Sequence, residues 1–176
     1  MFKKFAVSCV MFIIMGSALA QDNDVNSLII SGNYNLAMQK VNNILIDHPQ
    51  KMTARFQYAT LLSLTQKTDA AIEEYNKLLK DYPSLFEVNN NLGVLYASQG
   101  LYEKAASSFQ DAIATNPKYN TALENLGDLY TKMAMQSYKR VLSNDLNNEN
   151  VMMKYVRIKS LSIDLTLNNF QKSIKN

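Results

Sequence analysis

The residues able to do chemistry are few, and their spacing argues against most of it. His48 is the single histidine and stands in Asp47-His48-Pro49. A catalytic base needs a nucleophile, a metal or a substrate proton within hydrogen-bond reach, and nothing reactive flanks it. Cys9 is the single cysteine, inside an apolar N-terminal run. If that run is removed as an export signal, a cysteine–histidine pair or a thiolate metal cluster has nothing to build from in the mature chain. Glu73 and Glu74 are neighbours, and adjacent residues on a helix point apart rather than sharing a proton. No glycine-rich phosphate loop occurs. The inventory predicts a protein that is not an enzyme, with no catalytic residues, no cofactor and no metal site.

The N-terminus reads as an address. Lys3 and Lys4 precede the apolar stretch Phe5 to Met15, and Gly16-Ser-Ala-Leu-Ala20 follows. That order predicts a cleavable export signal over residues 1–20, with Gln21 as the new N-terminus. The apolar run is short for the ~30 Å of a bilayer core, so no transmembrane segment is expected after cleavage. A lipoprotein would need a cysteine where Gln21 stands. The mature chain would hold no cysteine and no disulfide, and its core alone must stabilise it. The expected location is a Gram-negative periplasm or the exterior.

Charge is distributed unevenly. The whole chain carries a formal +3. Residues 21–150 hold 11 basic and 14 acidic groups, a net of −3. Residues 151–176 set Lys154, Arg157, Lys159, Lys172 and Lys175 against Asp164, a net of +4. A nucleic-acid binder wants a basic face on its body, so none is expected here. The basic end suits a weak contact with an anionic membrane surface or an acidic partner.

The elements that carry these residues follow from a period. Pro49, Pro83 and Pro117 are the only prolines, each 34 residues from the next. Ala37, Ala71 and Ala105 keep the interval, as do Val41, Tyr75 and Phe109, and Ile44, Leu78 and Ala112. Gly93 and Gly127 share it, with Tyr96 and Tyr130; Gly32 and Tyr34 return two periods on as Gly100 and Tyr102. Within a period, apolar residues recur at three and four, the mark of one helical face. Gly32 and Gly100 can take the positive φ that ends a first helix. Each proline closes a second one. One such pair cannot bury its own apolar face, so the pairs must stack.

This pattern resembles the tetratricopeptide repeat (TPR) family, whose unit is a 34-residue pair of antiparallel helices. Residues 86–119 match best, with Leu92-Gly93, Tyr96, Gly100, Tyr102, Ala105, Phe109, Ala112 and Pro117. Asn89 stands where the family has tryptophan. The resemblance implies an all-α, right-handed α-solenoid of three TPR helix pairs, ending in a long helix and a C-terminal capping helix. The array covers 21–146, with repeats near 22–51, 52–85 and 86–119 and an atypical one at 120–146. Residues 147–176 form the capping helix and tail. In the family the first helix of each pair lines a concave groove. The implied partner-binding residues are Phe56, Gln57 and Thr60; Asn90, Asn91 and Val94; and Glu124, Asn125 and Asp128. Gln57, Asn91 and Asn125, one per repeat, could form an amide ladder along an extended peptide. The lysines and arginine with which some relatives grip a terminal carboxylate are absent, and Glu87, Glu124 and Asp128 stand instead.

The period fails once. Tyr96 to Ala105 spans nine residues, but Tyr130 to Ala134 spans four, so the five residues of the turn are missing. Leu123, Leu126, Tyr130, Ala134 (or Met133), Tyr138, Val141 and Leu142 continue at helical spacing across the gap, predicting one helix over 119–143. This ending resembles those of small exported bacterial TPR proteins. Asp145 to Asn150 makes a polar break. Met152, Tyr155, Val156, Lys159 and Leu161 then suggest a further helix folding back along the long one. Leu161 to Leu167 alternates like a strand, yet fits a helix or a tail equally. The expected function is an exported scaffold or adaptor holding an envelope protein or peptide in its groove. The alternative is a peripheral envelope-assembly factor acting through the basic C-terminal segment.

Overall fold

The computed structural model describes residues 20–160, with side chains from Asp24 onward. The export signal before Ala20, and the open reading of 161–167 with Lys172 and Lys175, lie outside the described residues. The described chain is all helix. In order the helices are α1 (Ala20–Ile30), α2 (Tyr34–Asp47), α3 (Met52–Leu64), α4 (Thr68–Asp81), α5 (Phe86–Ser98), α6 (Tyr102–Thr115) and α7 (Asn120–Asn144). An eighth, α8, runs over 149–160. The chain divides into two compact units between Ala122 and Leu123.

In the first unit the 34-residue period is written into backbone angles. Gly32 and Gly100 end α1 and α5 at φ +76° and +78°. Gln66 ends α3 in the same left-handed region at φ +63°, although only glycine enters it without steric cost. The second helices of the pairs stop alike. His48, Tyr82 and Asn116 close α2, α4 and α6 at φ −135°. Their amides donate back to Ile44, Leu78 and Ala112 at 2.8, 2.8 and 2.9 Å. Each precedes a proline, whose ring drives the preceding residue out of the helical region.

Burial alternates between neighbours along the stack. One cluster joins Val25, Ile29, Ala37, Val41 and Ile44 to Ala54 and Leu61 of α3. The next joins Ala59, Leu62, Ala71, Tyr75 and Leu78 to Val88, Leu92 and Leu95 of α5. A third sets Ala112 against Tyr119 and Ala122. The first two clusters each span one pair and the first helix of the following one, so no pair has a core of its own. Gly93 shows how tight a pair is. A Cβ added there would lie 2.5 Å from the nearest Phe109 ring carbon.

The second unit begins within α7. This helix is continuous over 25 residues, roughly 37 Å at 1.5 Å per residue, and no turn separates Tyr130 from Ala134. The anticipated apolar stripe is present but largely uncovered. Leu123, Tyr130 and Val141 are 45%, 47% and 40% exposed. The buried positions are Ala122, Asn125 and Leu129, with Leu142 near the far end. In the first half of the helix the buried line thus sits one residue back from the stripe, a rotation of about 100° about the axis. The next connection is short and capped. Asp145 takes the Asn147 amide at 3.2 Å, and the Asn148 side chain accepts from Val151 at 3.1 Å, an N-cap bond for α8. The half-buried line of α8 is Val151, Tyr155 and Ile158; Met152, Val156 and Lys159 face outward.

Candidate partner-binding surface

In the first unit, α3 and α5 carry the candidate groove residues of repeats two and three. Their side chains divide into two sets. Phe56, Asn91 and Val94 are half-buried and reach solvent, whereas Gln57, Thr60 and Asn90 are buried. Gln57 donates to the Asn26 side chain of α1 at 3.0 Å, which ties consecutive first helices together. Its side chain is thus engaged within the chain rather than exposed as the rung the ladder places there. In the second unit Asn125 is also buried, while Glu124 and Asp128 are exposed. In α3 the face that stacks against the neighbouring first helix overlaps the face that would line a groove, and Gln57 is turned to Asn26 there. A polar residue caught there satisfies its neighbours first.

Thr60 and Asn91 have a different task. The Tyr75 side chain of α4 is buried, and its hydroxyl lies 2.9 Å from Thr60 Oγ1 and accepts from Asn91 Nδ2 at 3.1 Å. Thr60 also donates to the Phe56 carbonyl at 2.9 Å. Burial pushes the Tyr75 phenol up to about 12, against the lowering effect of those two hydrogen bonds. The Phe56 ring is tilted against Tyr75 with centroids 5.9 Å apart. One buried hydroxyl therefore clips α3, α4 and α5 together directly beneath Phe56 and Asn91. In the sequence Tyr75 reads only as a core residue. The signal that could have found its role is that the equivalent positions, Val41 and Phe109, carry no polar side-chain atom, so this hydroxyl had to find partners.

The same face is mildly acidic. Glu87 opens α5, and partial burial raises its carboxyl above the usual range. Its charge in turn helps raise the Tyr119 phenol, although burial is the larger cause. Tyr119 packs edge-on against Phe86 with centroids 4.8 Å apart. Within the second unit, Asp128 stays exposed as a residue, yet partial desolvation of its carboxyl, and then the charge of Glu124, raise it.

His48 serves as the closing residue of α2 and is exposed. Glu73 and Glu74 do not simply point apart. Both reach Lys77, at 2.8 and 2.9 Å, and that lysine holds the Glu73 carboxyl below its ordinary value. These are surface helix pairs of small worth. Among the described residues no group of three His, Cys, Asp or Glu could hold a metal ion. No described helix is long and apolar enough to cross a membrane.

The sequence model of the tetratricopeptide repeat family matches residues 59–120 and 90–132. The chain is 36% identical over 74 residues to the chloroplast tetratricopeptide repeat domain-containing protein PYG7 of Arabidopsis thaliana. That match uses 39% of this chain and 25% of the relative's length. The fold is similar to TTC0263, a TPR protein of Thermus thermophilus, with a TM-score of 0.63, 20% identity and coverage of 88% and 89% of the two chains. It is also similar to the second TPR domain of human RPAP3, solved with the HSP70 peptide SGPTIEEVD. There the TM-score is 0.56, identity is 14%, and the match covers 62% of this chain and 92% of that one. With a 34-residue period that fixes both turns and core, residues 59–132 match the tetratricopeptide repeat family, and the described chain has the fold of tetratricopeptide repeat proteins.

Proposed function

We propose that the protein is an exported interaction scaffold that seats a peptide or protein segment against the first helices of repeats two and three. The observation that carries this reading is the Tyr75 clip. It fixes Phe56 and Asn91 on consecutive repeats beside Val94. That arrangement gives an aromatic anchor and an adaptable amide on a rigid base, and rigidity lowers the entropy lost on binding. The RPAP3 domain was solved with an acidic peptide. Glu87 on this surface disfavours such a ligand, so a partner of basic or hydrogen-bonding character fits better. Export is supported by the order of Lys3, Lys4, the apolar run and Ala20, which makes an envelope protein the natural partner.

The test places a photo-cross-linking residue at Phe56, Asn91 or Val94, with Ile46 as the exposed control, in the native host. One specific product at the three α3 and α5 positions, absent at Ile46 and outcompeted by the purified partner, is the expected result. Equal labelling at all four positions refutes the groove. Osmotic-shock release of a chain beginning at Gln21 tests export separately.

A second reading rests on α8. Its exposed side chains include Met152, Met153 and Val156 beside Lys154 and Arg157, a mixture suited to an anionic membrane surface. Co-sedimentation with vesicles of anionic but not neutral lipid, abolished by Lys154→Glu with Arg157→Glu, would favour that assembly role.

A further inference from the structure

The fourth repeat holds both halves of a TPR helix pair and keeps them apart. In each complete pair the second helix presents an alanine with apolar residues four and seven positions on: Ala37, Val41 and Ile44; Ala71, Tyr75 and Leu78; Ala105, Phe109 and Ala112. All nine are buried. The same spacing occurs in α7 as Ala134, Tyr138 and Val141, but here Val141 is exposed and the other two are only half-buried. Among the described residues the receiving side is open too. Gly93 in α5 lies against the Phe109 ring, whereas a Cβ on its counterpart Gly127 would meet no described residue within 4 Å. With the five-residue turn missing, the two halves lie on one continuous helix and cannot fold onto each other.

We propose that two copies of this chain pair antiparallel through α7, each supplying the second helix that the other's fourth repeat lacks. At about 100° per residue, Leu123, Gly127, Tyr130, Ala134, Tyr138 and Val141 fall on one arc of roughly 80°. One unbroken stripe thus carries socket and plug. Setting Gly127 against the partner copy's position 138, as Gly93 meets Phe109, centres the two-fold axis within a residue of the middle of α7. The whole helix is then paired. Charge agrees with this register. The first half of α7 carries Glu124 and Asp128, and the second Lys132, Lys139 and Arg140. Glu124, Asp128 and Lys139 lie on the same flank of the stripe, and a two-fold axis preserves the flank. Lys139 of one copy is thereby placed between Glu124 and Asp128 of the other.

The test is sedimentation equilibrium across a concentration series. The protein measured is the exported chain from Gln21 onward, and the expected mass is twice that of its monomer. Gly127→Gln places its Cβ in open space within its own chain and suits a helix better than glycine. It should retain the helical circular dichroism yet weaken association at least tenfold by crowding the partner's Tyr138. Lys139→Glu should weaken association as well, and Glu124→Lys with Asp128→Lys in the same chain should restore it. A wild-type monomer at the highest soluble concentration overturns the proposal. So does a dimer indifferent to Gly127→Gln, or a failure of the charge reversal to rescue.

Discussion

Replacing Gly93 and Gly127 by alanine should have opposite effects, although both stand in the same Asn-Leu-Gly phrase. Alanine is favoured over glycine inside a helix by about 1 kcal/mol. At Gly127 nothing opposes that gain, because the new methyl enters open space. At Gly93 the methyl would lie 2.5, 2.6 and 2.9 Å from three carbons of the Phe109 ring. That ring is buried, so relief requires α5 and α6 to separate or the ring to leave its rotamer. Overpacking of this kind costs ~1–3 kcal/mol. The net result for Gly93→Ala is a loss of about 0–2 kcal/mol, and for Gly127→Ala a gain approaching ~1 kcal/mol. The two variants should therefore differ by roughly 1–3 kcal/mol, or about 2–12 °C in melting temperature for a chain of this size. Urea unfolding followed by far-ultraviolet circular dichroism, on dilute protein to keep association out of the measurement, reads the difference directly. Equal stabilisation by both substitutions would refute the close approach of α5 to α6 and the open face of α7 together.

Tyr75→Phe should cost about 1–2 kcal/mol, since Thr60 and Asn91 lose a buried partner; urea titration measures it. The phenol also makes stability depend on pH. Its folded value is raised from 10.0 to about 12, so the unfolded chain releases this proton first. Its contribution is complete below pH 10 and is lost as pH rises towards 12, at no more than about 1.4 kcal/mol per pH unit. The slope should shrink in Tyr75→Phe. Glu87→Gln should raise stability at neutral pH, because partial burial disfavours the charged form. That gain should vanish in acid, where Glu87 is protonated, as paired melts at the two pH values would show. Gln66→Gly should stabilise by ~0.5–1 kcal/mol by relieving the left-handed backbone at φ +63°, and thermal unfolding would register it.

The fold was legible because the period repeats physical constraints as well as residue names. Pro49, Pro83 and Pro117 each fix the residue before them, and the three closing residues accordingly share one φ. Gly32 and Gly100 announced two of the left-handed turns. Gln66 did not announce the third, because there the repeat imposes the conformation on a residue that resists it. The continuity of α7 followed from the missing turn. Its orientation did not, since an apolar stripe says that a face can be buried and not that this chain buries it. The candidate surface was the least legible part. Gln57, Thr60 and Asn90 occupy polar positions of the first helices of their pairs, yet whether such a side chain turns outward depends on what the neighbouring helix offers it. Tyr75 offered Thr60 and Asn91 a hydroxyl, and no local pattern in either helix encodes that meeting.

The missing turn links these observations. Removing the five turn residues leaves the flanking apolar positions in place but stops the two halves of the helix from folding onto each other. The second half keeps the alanine and the apolar spacing of a buried helix, and the first keeps the glycine that admits a ring. Here Gly127, Ala134, Tyr138 and Val141 keep the types and spacing of Gly93, Ala105, Phe109 and Ala112 on either side of the lost turn. That retention is what pairing through α7 requires, and polar substitution of Tyr138 or Val141 should therefore reduce association far more than it reduces the stability of the isolated chain.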